Sequence, residues 1–95
     1  MTRAEILATI DEQREHLRQL HVRELALFGS YARADASDSS DIDFIVEFDQ
    51  KSFDNYMALK EFLEALFARP IDLVLKDSIK SRLRDTILRE AIRAA

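Results

Sequence analysis

The chain has 95 residues, 47% of them hydrophobic and 34% charged, a balance typical of a globular protein rather than a disordered one. It contains no cysteine, which excludes a disulfide framework and a thiolate metal site, and no apolar run of about 18 residues that could span a membrane. The net charge of −4 argues against broad binding to a nucleic-acid backbone. We therefore expect a single domain over residues 1–95, in the cytoplasm, without direct nucleic-acid contacts.

Hydrophobic periodicity and turn signals divide the chain into alternating helices and strands. In chain order the predicted elements are a helix at 2–20, a strand at 24–29, a short helix or turn at 31–37, a strand at 41–48, a helix at 53–68, a strand at 71–76 and a final helix that presents Ile79, Leu83, Ile87 and Ala91 inward. Thr2 and Glu5 have the spacing of a capping box. Arg69 and Pro70 stop the helix at 53–68, because the residue before a proline disfavours helical geometry. Asp77 or Ser78 is expected to cap the last helix.

The connections between the predicted strands indicate how they pair. The helix at 53–68 is a crossover, so the second and third strands should run parallel. The connection between the first and second strands is short and suits an antiparallel pair. The expected fold class is α/β, with a small mixed sheet of three or slightly more strands flanked by helices.

This topology gathers polar residues at one edge of the sheet. Gly29, the only glycine, and Ser30 end the first strand, while Asp41 opens the antiparallel second strand. Asp72 lies near the start of the third strand and therefore at the same edge. Because side chains alternate along a strand, Asp41 and Asp43 should project to the same face.

Three carboxylates at one place repel each other, and a divalent cation removes that repulsion. Hard oxygen ligands favour Mg²⁺ or Mn²⁺, and a cluster this compact can hold two ions, as in two-metal centres for displacement at phosphorus. Asp41 and Asp43 would bridge the ions, and Asp72 would hold only the catalytic one and help deprotonate the attacking hydroxyl. Gly29 would let the backbone approach a triphosphate, and Ser30 would donate to a phosphate.

The same residues carry a resemblance to a known family. The stretch GSYARADASDSSDIDFIVEF resembles the GS-x10-DxD signature of the polymerase-β-like nucleotidyltransferase superfamily. The stretch RPIDLVLKDSIKSRLRDTILREAI resembles the third-acid strand and closing helix of its smallest branch, the minimal nucleotidyltransferase (MNT) family. The resemblance covers nearly the whole chain.

The resemblance implies an α/β fold that uses Mg²⁺ and ATP. It also implies a helical HEPN partner, which is an RNase toxin that the MNT antitoxin neutralises. Characterised MNT members transfer AMP from ATP to a tyrosine of the HEPN chain. Carried over by position, Gly29 and Ser30 handle the triphosphate, Asp41 and Asp43 bind metal, and Asp72 is the third acid.

Three positions within the signature leave questions open. Many relatives have glycine where this chain has Ala34; because alanine suits a helix better, we expect the turn to change little. Arg33 would either contact a phosphate or form an ion pair with Asp35 or Asp38. Tyr31 would either stack on adenine or pack inside.

Three functions are compatible with the sequence. The first is a protein adenylyltransferase antitoxin in a complex with its HEPN partner, which would supply the other wall of the site. The second is an antitoxin that only occludes its partner, and the third is an antibiotic-type transferase acting on a small molecule. The clustered acids favour catalysis, and the short chain argues against the third function.

The aromatic residues Phe53, Tyr56 and Phe67 would fill the core or leave one ring outside as a partner anchor. His16 and His21 are expected on the surface.

Overall fold

The computed structural model describes residues 1–37 and 39–95. The helices and strands, in chain order, are α1 (Arg3–Glu12), α2 (Arg14–Gln19), β1 (Val22–Phe28), α3 (Gly29–Arg33), β2 (Ile42–Phe48), α4 (Phe53–Phe67), β3 (Ile71–Leu75), a 3-10 turn (Lys76–Ser78), α5 (Ser81–Glu90) and β4 (Ile92–Arg93). No helix within these described ranges is long and apolar enough to cross a membrane.

The sheet has the strand order β3-β2-β1-β4. β1 and β2 pair antiparallel, and β2 and β3 pair parallel on either side of the α4 crossover, which confirms the predicted mixed α/β fold. The sequence analysis missed β4, whose two residues pair with Ala26 and Leu27 of β1. The Ala94 amide extends this edge by donating to the Leu25 carbonyl at 2.8 Å.

Alternation along the strands separates a core face from a polar face. Leu25, Leu27, Phe44, Val46 and Leu73 are buried and belong to one hydrophobic cluster with residues of the first, second and fourth helices. The helical members of that cluster include Ile6, Ile10, Leu17, Leu59 and Leu63. The intervening strand positions, which include Asp43 and Asp72, therefore face the other side of the sheet, toward α5.

The first predicted helix is two helices. The chain leaves helical geometry at Gln13, where φ is −104° and ψ is 14°, and α2 begins at the next residue. The predicted capping box is confirmed, because the Thr2 hydroxyl accepts from the Glu5 amide while the Glu5 carboxylate accepts from the Thr2 amide.

The predicted start of the last helix is wrong. Residues 76–78 form a 3-10 turn, and α5 begins at Ser81 after Lys80, without a side-chain cap. Asp77 binds the Lys51 ammonium at 2.8 Å instead of capping the helix. Ile79 precedes the helix and is buried, whereas Leu83, predicted to face inward, is 46% exposed.

The three aromatic residues of α4 for which the sequence left core and surface open divide between the two. Phe67 is buried, and the Tyr56 hydroxyl donates to the Leu73 carbonyl at 2.6 Å. Phe53 is 76% exposed and is the ring left outside.

The two histidines also differ from each other. His16 is exposed, as expected, and stacks on Phe62 at 4.3 Å between ring centroids. His21 is only half-exposed, in a turn with φ of 66°.

Candidate active site

Two of the predicted carboxylates face each other across neighbouring strands. Asp43 of β2 and Asp72 of β3 are direct partners in the parallel register, on the face of the sheet opposite the main core. The two carboxyl groups are near enough for a hydrogen bond between them to help raise the pKa of Asp43. Asp43 is half-buried and Asp72 is exposed, which leaves the pair open to a ligand from the solvent side.

The environment of Asp43 disfavours its negative charge. Burial raises the pKa of this carboxyl from 3.8 to about 6, assisted by the charge of Asp72, by the hydrogen bond to Asp72 and by the charge of Asp41. The Arg33 guanidinium acts in the opposite direction. Burial and the neighbouring acids thus both disfavour the carboxylate form of Asp43, and Arg33 offsets only part of their effect on its pKa.

Gly29 contacts this acid pair through its backbone. Its φ is +73°, a left-handed conformation that favours glycine, and the preceding residue Phe28 pairs directly with Asp43. A Cβ at residue 29 would lie 2.9 Å from Asp43 Cγ and nearer still to Oδ2. The structure thus provides a reason for the glycine that sequence analysis did not anticipate: the Asp43 carboxylate occupies the space of a side chain.

Ser30 and Arg33 lie on α3, which follows Gly29 directly. Ser30 is half-buried, and its carbonyl accepts from the Asp35 amide at 2.9 Å. Arg33 is exposed and binds Asp35 at 3.2 Å and Glu90 of α5 at 3.4 Å. The ion-pair alternative is therefore present with Asp35; the alternative with Asp38 falls outside the described residues.

The conformation of Ala34 corrects the expectation that alanine in place of glycine changes this turn little. It does not extend the helix but ends it, with φ of 63° and ψ of 30°. An alanine pays a steric cost in this left-handed conformation that a glycine avoids. Alanine therefore fits this position less well than glycine, contrary to the argument from helix propensity.

Asp41 is a more distant member of the group. It is exposed and precedes β2, and its charge acts on Asp43 more weakly than that of Asp72. Within residues 1–37 and 39–95, no three His, Cys, Asp or Glu side chains are arranged to hold a metal ion as they stand. The structure thus pairs Asp43 with Asp72 and places Asp41 beside them as a charged neighbour.

One residue that was not predicted from the sequence joins α3 to the segment before β2. Arg69, expected only to help end α4, donates through Nη1 to the Tyr31 hydroxyl at 2.6 Å and to the Ser40 carbonyl at 3.4 Å. Its guanidinium also lies 5.8 Å from the centroid of the Tyr31 ring. Tyr31 is 3% exposed, so it packs inside rather than offering a face to adenine. Arg69 thereby links α3 to the segment that delivers Asp41.

We expect Arg69→Met to lower the free energy of unfolding by about 1–3 kcal/mol, because it removes hydrogen bonds from a charged donor and leaves the buried Tyr31 hydroxyl without that partner. Urea unfolding measures this change. Arg18→Met is the matched control, since Arg18 pairs with Glu15 at an exposed position and the loss of this pair should cost less than about 0.5 kcal/mol. Equal costs for the two variants would show that Arg69 does not hold the loops together.

Comparisons with known proteins identify the family of this chain. The model of the nucleotidyltransferase domain family matches residues 10–94. The protein adenylyltransferase MntA of Thermococcus cleftensis is 39% identical over 94 residues, covering 97% of this chain and 95% of its own length.

Two solved structures share the fold. One, provisionally assigned as a minimal nucleotidyltransferase, superposes with a TM-score of 0.83 at 30% identity over 97% of this chain and 95% of that chain. The other is a complex of a tri-AMPylated HEPN toxin of Shewanella oneidensis with an MNT antitoxin. It aligns with a TM-score of 0.65 at 20% identity over 93% of this chain and 70% of that chain, and at this identity shows the fold alone. With its acids paired beside the glycine turn, the chain belongs to the nucleotidyltransferase domain family, as an enzyme of the minimal branch.

Proposed function

We propose that this chain is an adenylyltransferase antitoxin, which transfers AMP from ATP to a tyrosine hydroxyl of a HEPN-domain toxin. The observation that carries the proposal is the contact between Asp43 and Asp72 beside the turn at Gly29. The similarity to MntA supports protein adenylylation, and the shared fold with the MNT antitoxin of an AMPylated HEPN toxin supports the class of partner.

The donor set fits a divalent cation. The groups at this edge are carboxylate oxygens, the ligands that Mg²⁺ prefers, and a bound cation would offset both the burial and the neighbouring charges that raise the pKa of Asp43. Asp43 and Asp72 would hold the metal, and Asp41 would join them by a side-chain movement at its exposed position; two ions could share these ligands. When bound, Mg²⁺ neutralises the acids and polarises the phosphate.

The reaction would proceed by displacement at the α-phosphorus of ATP. The tyrosine oxygen forms the new bond to phosphorus, the bond to the β-phosphate oxygen breaks, and pyrophosphate leaves. Asp72 would accept the hydroxyl proton. Gly29 and Ser30 would lie along the triphosphate, and Arg33 would neutralise phosphate charge after exchanging one of its carboxylate partners. Most of the catalysis would then come from positioning and charge compensation.

Intact-mass measurement tests the proposal. A HEPN-domain partner, sought as the product of the adjacent gene, would be purified with this chain and incubated with ATP and Mg²⁺. We expect the partner to gain one or more AMP units, mapped by peptide mass spectrometry to a tyrosine. Neutralisation of the toxin without any mass gain would contradict the proposal and indicate occlusion. Labelling of an aminoglycoside without the partner would instead indicate a small-molecule transferase.

A further inference from the structure

Asp72 of the acid pair lies in the lining of a largely apolar groove, and the proposed roles use none of the apolar residues of that groove. This groove lies between the sheet and the last helix; we call it the α5 groove. It has a volume of about 350 Å³. The apolar part of the groove's lining includes Phe28, Ile45, Val74, Leu83 and Ile87. Asp72 lies in the same lining.

The floor of the α5 groove continues the same face of the sheet that carries the acids. Ile45 follows Asp43 by two residues and Val74 follows Asp72 by two, so strand alternation places all four on one face. Ile45 and Val74 are also direct partners in the register, as Asp43 and Asp72 are. The two pairs are therefore adjacent rows, separated by about 7 Å at 3.3–3.4 Å per residue.

The side wall of the groove is a helix whose apolar residues are only partly covered. No residue of α5 is buried, Leu83 is 46% exposed, and Ile87 is half-exposed. An apolar groove that leaves such residues open beside a reactive group is typical of a binding site rather than of a core.

We propose that the α5 groove binds the aromatic ring of the acceptor tyrosine and directs its hydroxyl to Asp72. This inference rests on the proposed function. A phenol side chain is apolar along its length and polar only at its tip, which matches an apolar floor ending at a carboxylate. Its length is similar to the spacing of the two rows. A serine or threonine hydroxyl is too short to fill the groove and still reach Asp72. Adenine would place ring nitrogens against the aliphatic side chains of Val74, Leu83 and Ile87.

The charge at the groove indicates what surrounds that tyrosine. Lys80 and Arg82 also line the groove, and both are exposed. Neither belongs to an ion pair in the part of the chain that the structure describes. Two such cations in a chain of net charge −4 favour an acceptor segment with acidic residues beside the tyrosine.

The first experiment measures binding without catalysis. The probe is p-cresol, the side chain of tyrosine, titrated into the ¹⁵N-labelled chain with NMR detection. We expect saturable shifts of the amides of Val74, Leu83 and Ile87, which ATP does not reverse. In Leu83→Ala these shifts should weaken, whereas Leu88→Ala, the same change on the same helix outside the groove, should leave them unchanged. Shifts elsewhere, or displacement of p-cresol by ATP, would overturn the inference.

The second experiment measures transfer to the HEPN partner. Leu83→Ala removes an exposed side chain and favours the helix, so the variant should fold. We expect kcat/KM for the partner to fall about tenfold while KM for ATP stays the same. Unchanged transfer, or a higher KM for ATP, would overturn the assignment of the α5 groove to the acceptor tyrosine while leaving the proposed function intact. A wild-type chain that transfers nothing would instead contradict the proposed function.

Discussion

We expect Asp43→Asn to abolish AMP transfer and, without metal, to stabilise the chain. Transfer should fall by at least about 100-fold, because the variant loses a carboxylate that would hold the metal ion, and the ion would compensate the phosphate charge during the reaction. Stability should rise because asparagine still donates a hydrogen bond to Asp72 but carries no charge beside it. Transfer at the normal rate by this variant would show that Asp43 has no part in the reaction.

The stability gain should depend on pH in a defined direction. The pKa of Asp43 is raised from 3.8 to about 6, so the native chain holds this proton more tightly than the unfolded chain does. The stability that this proton gives to the native chain is fully present below pH 3.8 and is lost as pH rises through about 6. Wild type and Asp43→Asn should therefore be equally stable near pH 4 and differ above pH 7.

Urea unfolding at these pH values measures the difference, which we expect to be about 1 kcal/mol after allowance for the exposure of the carboxyl. Asp85→Asn is the matched control, since this residue is exposed on α5 and its substitution should change the free energy of unfolding by less than about 0.5 kcal/mol. An Asp43→Asn variant less stable than wild type at pH 8 would contradict the charge strain assigned to this site.

The second large effect is expected from Gly29→Ala. The left-handed φ of +73° should cost an alanine about 1–2 kcal/mol, and the overlap of its Cβ with Asp43 adds to that cost. The displaced carboxylate should also lose its contact with Asp72, so transfer should fall with stability. Urea unfolding and partner AMPylation measure the two effects.

A double-mutant cycle separates the two causes. In an Asp43→Ala background the overlapping carboxylate is absent, so Gly29→Ala should cost less there than in wild type. The backbone cost should remain in both backgrounds. Equal costs in the two backgrounds would show that the contact between Gly29 and Asp43 does not constrain residue 29.

The strand pattern was sufficient to predict the central geometry of the site. A crossover helix makes β2 and β3 parallel, and the two-residue period then places Asp43 beside Asp72. Local signals were reliable where the physical cause was local, as at the Thr2 capping box. They were insufficient for β4, because two residues are too few to carry a strand pattern.

The features that could not be predicted depend on partners far along the chain. Asp77 resembles a helix cap, but its carboxylate binds Lys51, 26 residues away. Arg69 resembles only a helix end, yet its partner Tyr31 is 38 residues away. Arg33 has a local partner that the sequence offered as one alternative, but its bond to Glu90 spans 57 residues. Such contacts become visible only once the sheet has brought the segments together.

The most direct test of a metal-binding acid cluster is carboxyl NMR of the aspartate-labelled chain, titrated with pH. Without metal, we expect the Asp43 carboxyl carbon to titrate near pH 6. With Mg²⁺ and a non-hydrolysable ATP analogue, its pKa should fall below its ordinary value, and the signals of Asp41 and Asp72 should shift at the same metal concentration. A pKa of Asp43 that does not respond to Mg²⁺ would contradict the assignment of these acids as the metal site.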